Sequence, residues 1–415
     1  VPDLDPELKK RYIGEAKVLR AYNYYELYTK FGDIPYTTKV LSIKESMSIA
    51  RTDRATVIAN MLADLDEVIN GNYLPTSYDA DNKGRITRWA AMAIKAKIYL
   101  FEGNWTQVKN ITSTIMTEGG FTLFGSYAGL FEIANEYNSE VILDAQYRPT
   151  SREHQMMYAF LPPSLGGYSQ LSPLQELVDS YIMLDGKTIK ETGTSFDESN
   201  PYANRDPRLK ATVMYTGNSY TLADGTEVVI NCEKGEGKDG YGVGSDCSAT
   251  GYYIKKYWDN TYRATLYSGL NPILIRYADI LLMNAEALAE LGELDKMAWD
   301  ATIKPIRDRA GFTLTSAVEF PEGASKDKLI EIVRNERRSE LALEGHRHKD
   351  IIRWRIADDV LNGWCHGLKT NEVVGTDNGY VRVENRAFNA NRHYLWPIPQ
   401  AERDLNGNLE QNPNW

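Results

Sequence analysis

His346 and His348, in "EGHRHKD", come nearest to a metal site by type and spacing in this sequence of 415 residues. A His-x-His pair on a strand can present two imidazoles to one ion. Here the pair comes after a helical stretch and no third ligand stands near it, so a structural or exposed role is favoured. "GEGKDG" (Gly235 to Gly240) matches a phosphate-cradling glycine pattern. The next residues, "YGVGSDCSATGYY", form no helix, and without a helix N-terminus the pattern has no anion site. A solvated hairpin loop is the better reading. Asp239 and Asp246 in that loop are calcium-ligand types without EF-hand spacing. No cofactor is expected, with a structural calcium ion there as the one alternative. The sequence has no serine nucleophile elbow, no HExxH and no phosphate loop with lysine. The 57 Asp and Glu offer many carboxylate pairs and single out none, which leaves a glycoside hydrolase open and unsupported.

Tyrosine is abundant, 27 residues against 10 Phe. Tyrosine joins a flat apolar face to a polar edge, which suits stacking on amphipathic ligands as well as helix cores with a wet rim. Aromatics on helical stripes belong to the core on this reading: Tyr12, Tyr22, Trp89, Tyr99, Tyr277 and Trp299. Aromatics in loop-like stretches are the candidate ligand contacts. "YYIKKYWDNTYR" supplies Tyr257, Trp258 and Tyr262 beside Asp259, Asn260 and Arg263. "HQMMYAFLPPSLGGY" supplies Tyr158 and Tyr168 beside glycines. Tyr78 lies in an early Asp/Asn-rich loop. Period-two alternation in "YYIKKYW" requires that some of these face inward.

Bulk composition narrows the partners. The net charge is −10, which argues against a nucleic-acid partner, since that would want a basic face. Cys232, Cys247 and Cys365 are too few for a disulfide scaffold, and whether Cys232 and Cys247 pair stays open. No run approaches the ~20 apolar residues of a membrane-spanning helix. The chain begins on Val1, so targeting information is expected to lie ahead of it.

The elements that must position these residues are mostly helical. Leu8, Tyr12, Ala16, Leu19, Tyr22 and Tyr25 recur as one helical stripe, stopped by Gly32, Asp33 and Pro35. Asp53 opens a second helix through Val57, Met61, Leu65 and Ile69. A third carries Trp89, Ala93, Ala96 and Leu100, and its alanines allow a neighbour to approach closely. "AKIYLFEGNWTQV" is echoed by "AEALAELGELDKM", with Gly103 and Gly292 in equivalent places. That is the helix–turn–helix grammar of tetratricopeptide-type repeats. Residues 119–270 lack long stripes and hold short candidate strands in "EVILDAQY" and "EVVINC". Helices resume to about Trp364, with "EIVRNERRSELALEGHR" read as a helix knitted by ion pairs at i,i+3. The last 50 or so residues read as loop. Their end is expected to be a closing strap, extended by Pro397 and Pro399, turned at Asp404 to Gly407, and packed by Leu395, Trp396, Leu405, Leu409 and Trp415.

Several segments, in order, carry a family resemblance: "GEAKVLRAYNYYELYTKFGDIPY", "GRITRWAAMAIKAKIYLFEGNW", "RDPRLKATV", "IRYADILLMNAEALAELG", "RNERRSELALEGHRHKDIIRW" and "YLWPIPQAERDLNGNLEQNPNW". Together they resemble the SusD/RagB family of Bacteroidetes outer-membrane glycan-binding lipoproteins. The resemblance implies a mostly α fold, with tetratricopeptide-like repeats forming an α-helical scaffold and a large loop-rich insertion bearing short β hairpins. The implied regions are 1–118, helical and N-terminally incomplete; 119–270, the ligand-binding insertion; and 271–415, the C-terminal region with its strap. The implied function is non-catalytic binding of oligosaccharide or polysaccharide and delivery to a SusC-like TonB-dependent transporter. The implied location is the outer surface of the outer membrane, held by an N-terminal lipid anchor. The alternative is oligopeptide capture, as in the RagB branch. A sugar ring's C–H face stacks on Tyr or Trp while Asn, Asp and Arg bridge its hydroxyls, so no perturbed catalytic group is required.

Overall fold

The computed structural model describes residues 4–261 and 266–415. The chain forms two compact units. One comprises residues 1–120, 348–362 and 387–415; the other comprises 121–347 and 363–386. The chain leaves and re-enters each unit, so the sequential division expected from texture does not coincide with them. Among the described residues no helix is long and apolar enough to cross a membrane.

The first unit opens with the helix Pro6–Phe31. Asp5 caps it by accepting from the Leu8 N–H, Pro6 supplies a preset φ in the first turn, and Gly32 ends it at φ 72°. Its buried stripe is Gly14, Val18, Ala21, Tyr25, Tyr28 and Thr29, which shares only Tyr25 with the one read from the sequence. Tyr12 is 43% and Leu19 50% exposed. Small residues decide the matter: a Cβ at Gly14 would stand 2.9 Å from Tyr73 Cβ, so this face is the one that admits a close neighbour. The helices Arg54–Asn70, Arg88–Phe101 and Trp105–Glu118 come next, each with a side-chain N-cap (Asp53, Thr87, Asn104). Ala90, Ala91, Ala93 and Ala96 are fully buried, as their role in close packing required.

The strap belongs to this unit and is held partly as expected. Leu405 is 62% exposed, while Trp415 is held by its indole N–H to Leu395 O at 3.0 Å and by the Arg392 guanidinium over its ring. Trp396 packs edge-on to Phe31 and Leu395 covers Gly32, as expected, and amides add the rest: buried Asn412 donates to the carbonyls of Phe31 (2.9 Å) and Trp396 (2.7 Å) and accepts from Arg51 at 2.5 Å. Asn406 donates to Ile49 O at 2.8 Å. Gln400–Leu405 is a short helix.

The second unit contains the helices Tyr277–Leu291, Lys296–Ala310 and Lys326–Glu340. Gly292 turns the first into the second with φ 74°, and Gly103 does the same in the other unit with φ 70°, so the echoed glycines share one structural task. Nine strands make small antiparallel sheets among the described residues. β1 (Val141–Asp144) pairs with β6 (Ile273–Arg276), and β2 (Val213–Met214) with β5 (Tyr253–Ile254). β3 (Ser219–Thr221) pairs with β4 (Glu227–Val229). β9 (Tyr380–Arg386) lies between β7 (Gly363–Lys369) and β8 (Thr376–Asp377). This last sheet replaces what the sequence reading took for loop; the alternation in "YVRVENR" was its available signal.

The ion pairs of Lys326–Glu340 are mostly not with its own neighbours. Arg337 reaches Asp279 at 2.6 Å and Arg334 reaches Glu290 at 2.9 Å. Glu340 accepts from Arg208 and Arg276, at 2.8 and 2.6 Å, and also from Arg309. Arg208 further binds Asp206 (2.7 Å) and Glu336 (2.6 Å), while Arg276 binds Glu140 (2.7 Å). These side chains are almost completely buried. Burial would push the Glu340 carboxyl up, but the surrounding guanidiniums outweigh it and hold the carboxyl far below the usual range.

Candidate functional site: a stacked tyrosine pair on a folded-back loop

Tyr158 sits on the short helix Met156–Phe160, and Tyr168 comes after the turn Pro163–Leu165. Pro162 and Pro163 end the helix and set the turn. Gly166 then takes φ 83°, open only to residues that tolerate the left-handed region. A Cβ at Gly167 would stand 2.1 Å from Leu161 O, so the chain doubles back there only because the residue is glycine. The return is sealed by Tyr168 N–H to Tyr158 O (2.9 Å) and Leu171 N–H to Ala159 O (3.0 Å). Ser164 N–H is tied to the Asp239 carboxylate at 2.8 Å.

This geometry stacks the two rings, with centroids 4.1 Å apart and planes 22° apart. Tyr158 is half-buried and Tyr168 is 41% exposed. One face of Tyr168 is covered by Tyr158, and the part of the ring that stays exposed is an apolar surface with a hydroxyl at its edge.

The first candidate stretch meets the segment just beyond the second, and Met156 and Phe160 pack on the cluster that holds Tyr257. His154 and Ser268 exchange backbone hydrogen bonds of 2.9 Å each, and a Cβ at Gly166 would lie 3.8 Å from Leu266 Cδ2. Within the second stretch the candidates divide. Tyr257 is buried at φ 64°, its ring edge-on to Phe131 at 4.8 Å. Asp259 is buried too: it accepts from Thr261 N–H (2.8 Å) and Oγ1 (2.6 Å) and from Ser268 Oγ (2.5 Å), so it shapes the loop from inside. Trp258 is half-buried beside Tyr220, centroids 4.9 Å apart, with its indole N–H donating to Thr221 O at 2.9 Å. Asn260 is exposed. Tyr262 and Arg263 lie outside the described residues. Tyr78 belongs to the other unit, where its hydroxyl donates to Ile86 O at 3.2 Å and its ring lies 5.7 Å from the Arg11 guanidinium.

One exposed aromatic was missed by the sequence reading: Tyr267, 43% exposed, next to Leu266. Its signal was a position just beyond the aromatic-rich stretch that ends at Arg263.

His154 spends Nε2 on Leu270 O at 2.8 Å. Among the described residues no three His, Cys, Asp or Glu side chains gather as a metal site, the His346–His348 stretch and the Gly235–Asp246 loop included. Asp239 spends its carboxylate on Ser164, and Cys232 and Cys247 are free thiols. The arrangement offers one part-exposed aromatic ring with a phenolic hydroxyl at its edge. That chemistry holds a ligand through C–H contacts and hydrogen bonds.

Comparisons with known proteins agree with this architecture. A family model described as "SusD family" matches residues 130–415, and one described as "Starch-binding associating with outer membrane" matches residues 2–100. SusD-like protein P25 of Formosa agariphila is 28% identical over 373 residues, 84% of this chain and 64% of its own length. The chain thus spans under two thirds of that relative. SusD-like protein P2 of the same organism is 27% identical over 414 residues, 96% of this chain and 73% of its own. The crystal structure of a SusD-like carbohydrate binding protein from Bacteroides fragilis superposes with a TM-score of 0.87 at 30% identity, covering 98% of this chain and 81% of that one. The chain belongs to the SusD/RagB family.

Proposed function

We propose that this protein binds oligosaccharide or polysaccharide without catalysing its cleavage, at the face built by Tyr158 and Tyr168. The observation that carries this reading is the exposed, pre-stacked tyrosine pair. A ring held by its neighbour loses little conformational freedom on binding, which favours a weakly polar ligand such as the C–H face of a pyranose. Exposed Tyr267, next to the Leu266 that approaches Gly166, is assigned as a further contact, and exposed Asn260 and half-buried Trp258 stay as candidates. The name of the Bacteroides fragilis relative, a carbohydrate binding protein, supports the same reading.

The binding protein works at the outer membrane on this proposal, held by an N-terminal lipid, and hands its ligand to a SusC-like TonB-dependent transporter. The family-model description "associating with outer membrane" supports the location. The test is calorimetric titration of the intact protein with neutral oligosaccharides and, in parallel, with oligopeptides. Saccharide binding with no reducing-sugar release is expected. Peptide binding alone would replace this reading with peptide capture, and sugar release would make the protein a hydrolase.

A further inference from the structure

A second hollow lies in the same unit, lined by none of the residues of the tyrosine face. It has a volume of about 600 Å³, within the roughly 300–1,000 Å³ of small-molecule sites. Its walls come from the loop Glu198–Tyr202, from Gly251 and Tyr252, and from the end of β7 with Tyr380. It continues into a shallower basin of about 570 Å³ through shared Glu233, Lys369, Thr370 and Asn371. Together they form one groove.

The floor has a fixed hydrogen-bond direction. Gln175 Nε2 donates to Asp179 Oδ1 at 2.7 Å, which turns Gln175 Oε1 the other way. That oxygen accepts from the Tyr252 hydroxyl at 2.5 Å. Tyr252 has then spent its proton, so in the 3.2 Å contact between the two phenols Tyr202 is the donor. The Tyr202 oxygen is left as an acceptor, and it asks for a ligand hydroxyl. The Tyr202 ring is braced by Tyr215, centroids 4.0 Å and planes 15° apart.

The rim adds unspent groups. The side-chain amides of Asn200 and Asn371 and the hydroxyl of Tyr380 have no protein hydrogen-bond partner among the described residues, and all line the groove. Lys369 is held by Glu198 at 2.8 Å and Lys234 is paired with Glu372. Glu233 and Glu236 add two more carboxylates, so the groove carries net negative charge and disfavours an anionic occupant.

We propose that this groove is a second saccharide subsite, selective for a neutral hydroxyl-rich oligosaccharide, with Tyr202 and the Asn200 and Asn371 amides as its hydrogen-bonding set. The inference rests on the saccharide-binding reading of the tyrosine face and extends it from one face to two. It assigns amides and a directed phenol where the first site uses an exposed ring face.

The test is calorimetric titration of the intact protein with maltohexaose, laminarihexaose, xylohexaose and mannohexaose, with a hexagalacturonate as the anionic probe and a tripeptide as competitor. The variants are Tyr168→Ala, Tyr202→Phe and the double variant Asn200→Ala/Asn371→Ala. Asn200 and Asn371 are exposed and without protein partners, so their loss leaves the melting temperature unchanged. Two classes of site are expected for a neutral probe. Tyr202→Phe weakens one class about tenfold, the loss of one hydrogen bond, and the double variant weakens it further. Tyr168→Ala removes only the other class. A single class, lost with Tyr168→Ala and indifferent to the groove variants, overturns this inference and leaves the first reading standing. Binding of no neutral probe overturns both. Hexagalacturonate bound as tightly as the neutral probes, or displacement of the groove-bound sugar by the tripeptide, overturns the ligand class.

Discussion

Arg276 and Glu344 form a two-pronged ion pair in the interior of the second unit, Nε to Oε2 at 2.7 Å and Nη2 to Oε1 at 2.7 Å, with neither side chain more than 2% exposed. Glu344 also accepts from Lys256 at 2.6 Å, and burial pushes that lysine's pKa down to about 8. Such a cluster does not by itself add stability, because removing the charges from water costs as much as their attraction returns. What it does is penalise every arrangement in which one partner is missing. A unit with short strands and long loops gains a unique interior that way.

The first prediction concerns that penalty. Arg276→Met takes one guanidinium partner from each of three buried carboxylates, Glu140, Glu340 and Glu344, and is expected to cost about 3–5 kcal/mol in urea unfolding. Lys39→Ala, which breaks the exposed pair with Glu45, is expected to change nothing measurable. Equal effects would mean that the buried network is energetically idle.

His366 gives a pH signature. Its imidazole spans Glu176 (2.8 Å) and Asp377 (3.0 Å). Burial lowers its pKa, but the bonds to Asp377 and Glu176 outweigh it, so the net shift is upward. A raised folded pKa means stability fully present below about pH 6.5 and lost as pH rises through the folded value. The stability difference between wild type and His366→Gln should therefore be largest below about pH 6.5 and shrink as the pH rises above it. A difference that grows with pH would show that the imidazole is not held in its charged form.

The closing strap separates polar from apolar anchoring. Asn412→Ala removes three hydrogen bonds, one from Arg51 and two to the Phe31 and Trp396 carbonyls, and is expected to cost about 1–3 kcal/mol. Leu405→Ser, at an exposed position, is expected to stay within about 0.5 kcal/mol. Thermal melts of the two variants check this; the reverse order would restore the hydrophobic strap.

The segments that reveal the family in the sequence are the ones that build the interior. "RDPRLKATV" contributes Asp206 and Arg208, "IRYADILL" contributes Arg276 and Asp279, and "RNERRSELALEGH" contributes Glu336, Arg337, Glu340 and Glu344. Their pattern was legible, but their partners lie far apart in sequence, so the i,i+3 reading of local ion pairs missed what they do. Helix existence was legible from caps and periodicity, as with Asp53 and Val57–Ile69. The inward face of Pro6–Phe31 was not, because glycine and alanine mark it by size and not by hydrophobicity. Tyr158 and Tyr168 could be singled out by loop position and flanking glycine. Tyr257 and Asp259 could not be told from their exposed neighbours, since a left-handed residue at Tyr257 breaks the alternation that sequence reading must assume.

The central claim is that the exposed face of Tyr168 carries a saccharide. Affinity electrophoresis of the wild type, Tyr168→Phe and Tyr168→Ala through gels containing a panel of neutral polysaccharides tests it most directly. The account predicts that at least one polysaccharide retards the wild type and Tyr168→Phe alike, and that Tyr168→Ala loses most of that retardation, with stacking contacts worth about 1–3 kcal/mol. Retardation of Tyr168→Ala equal to that of the wild type, on every polysaccharide that binds, would contradict it.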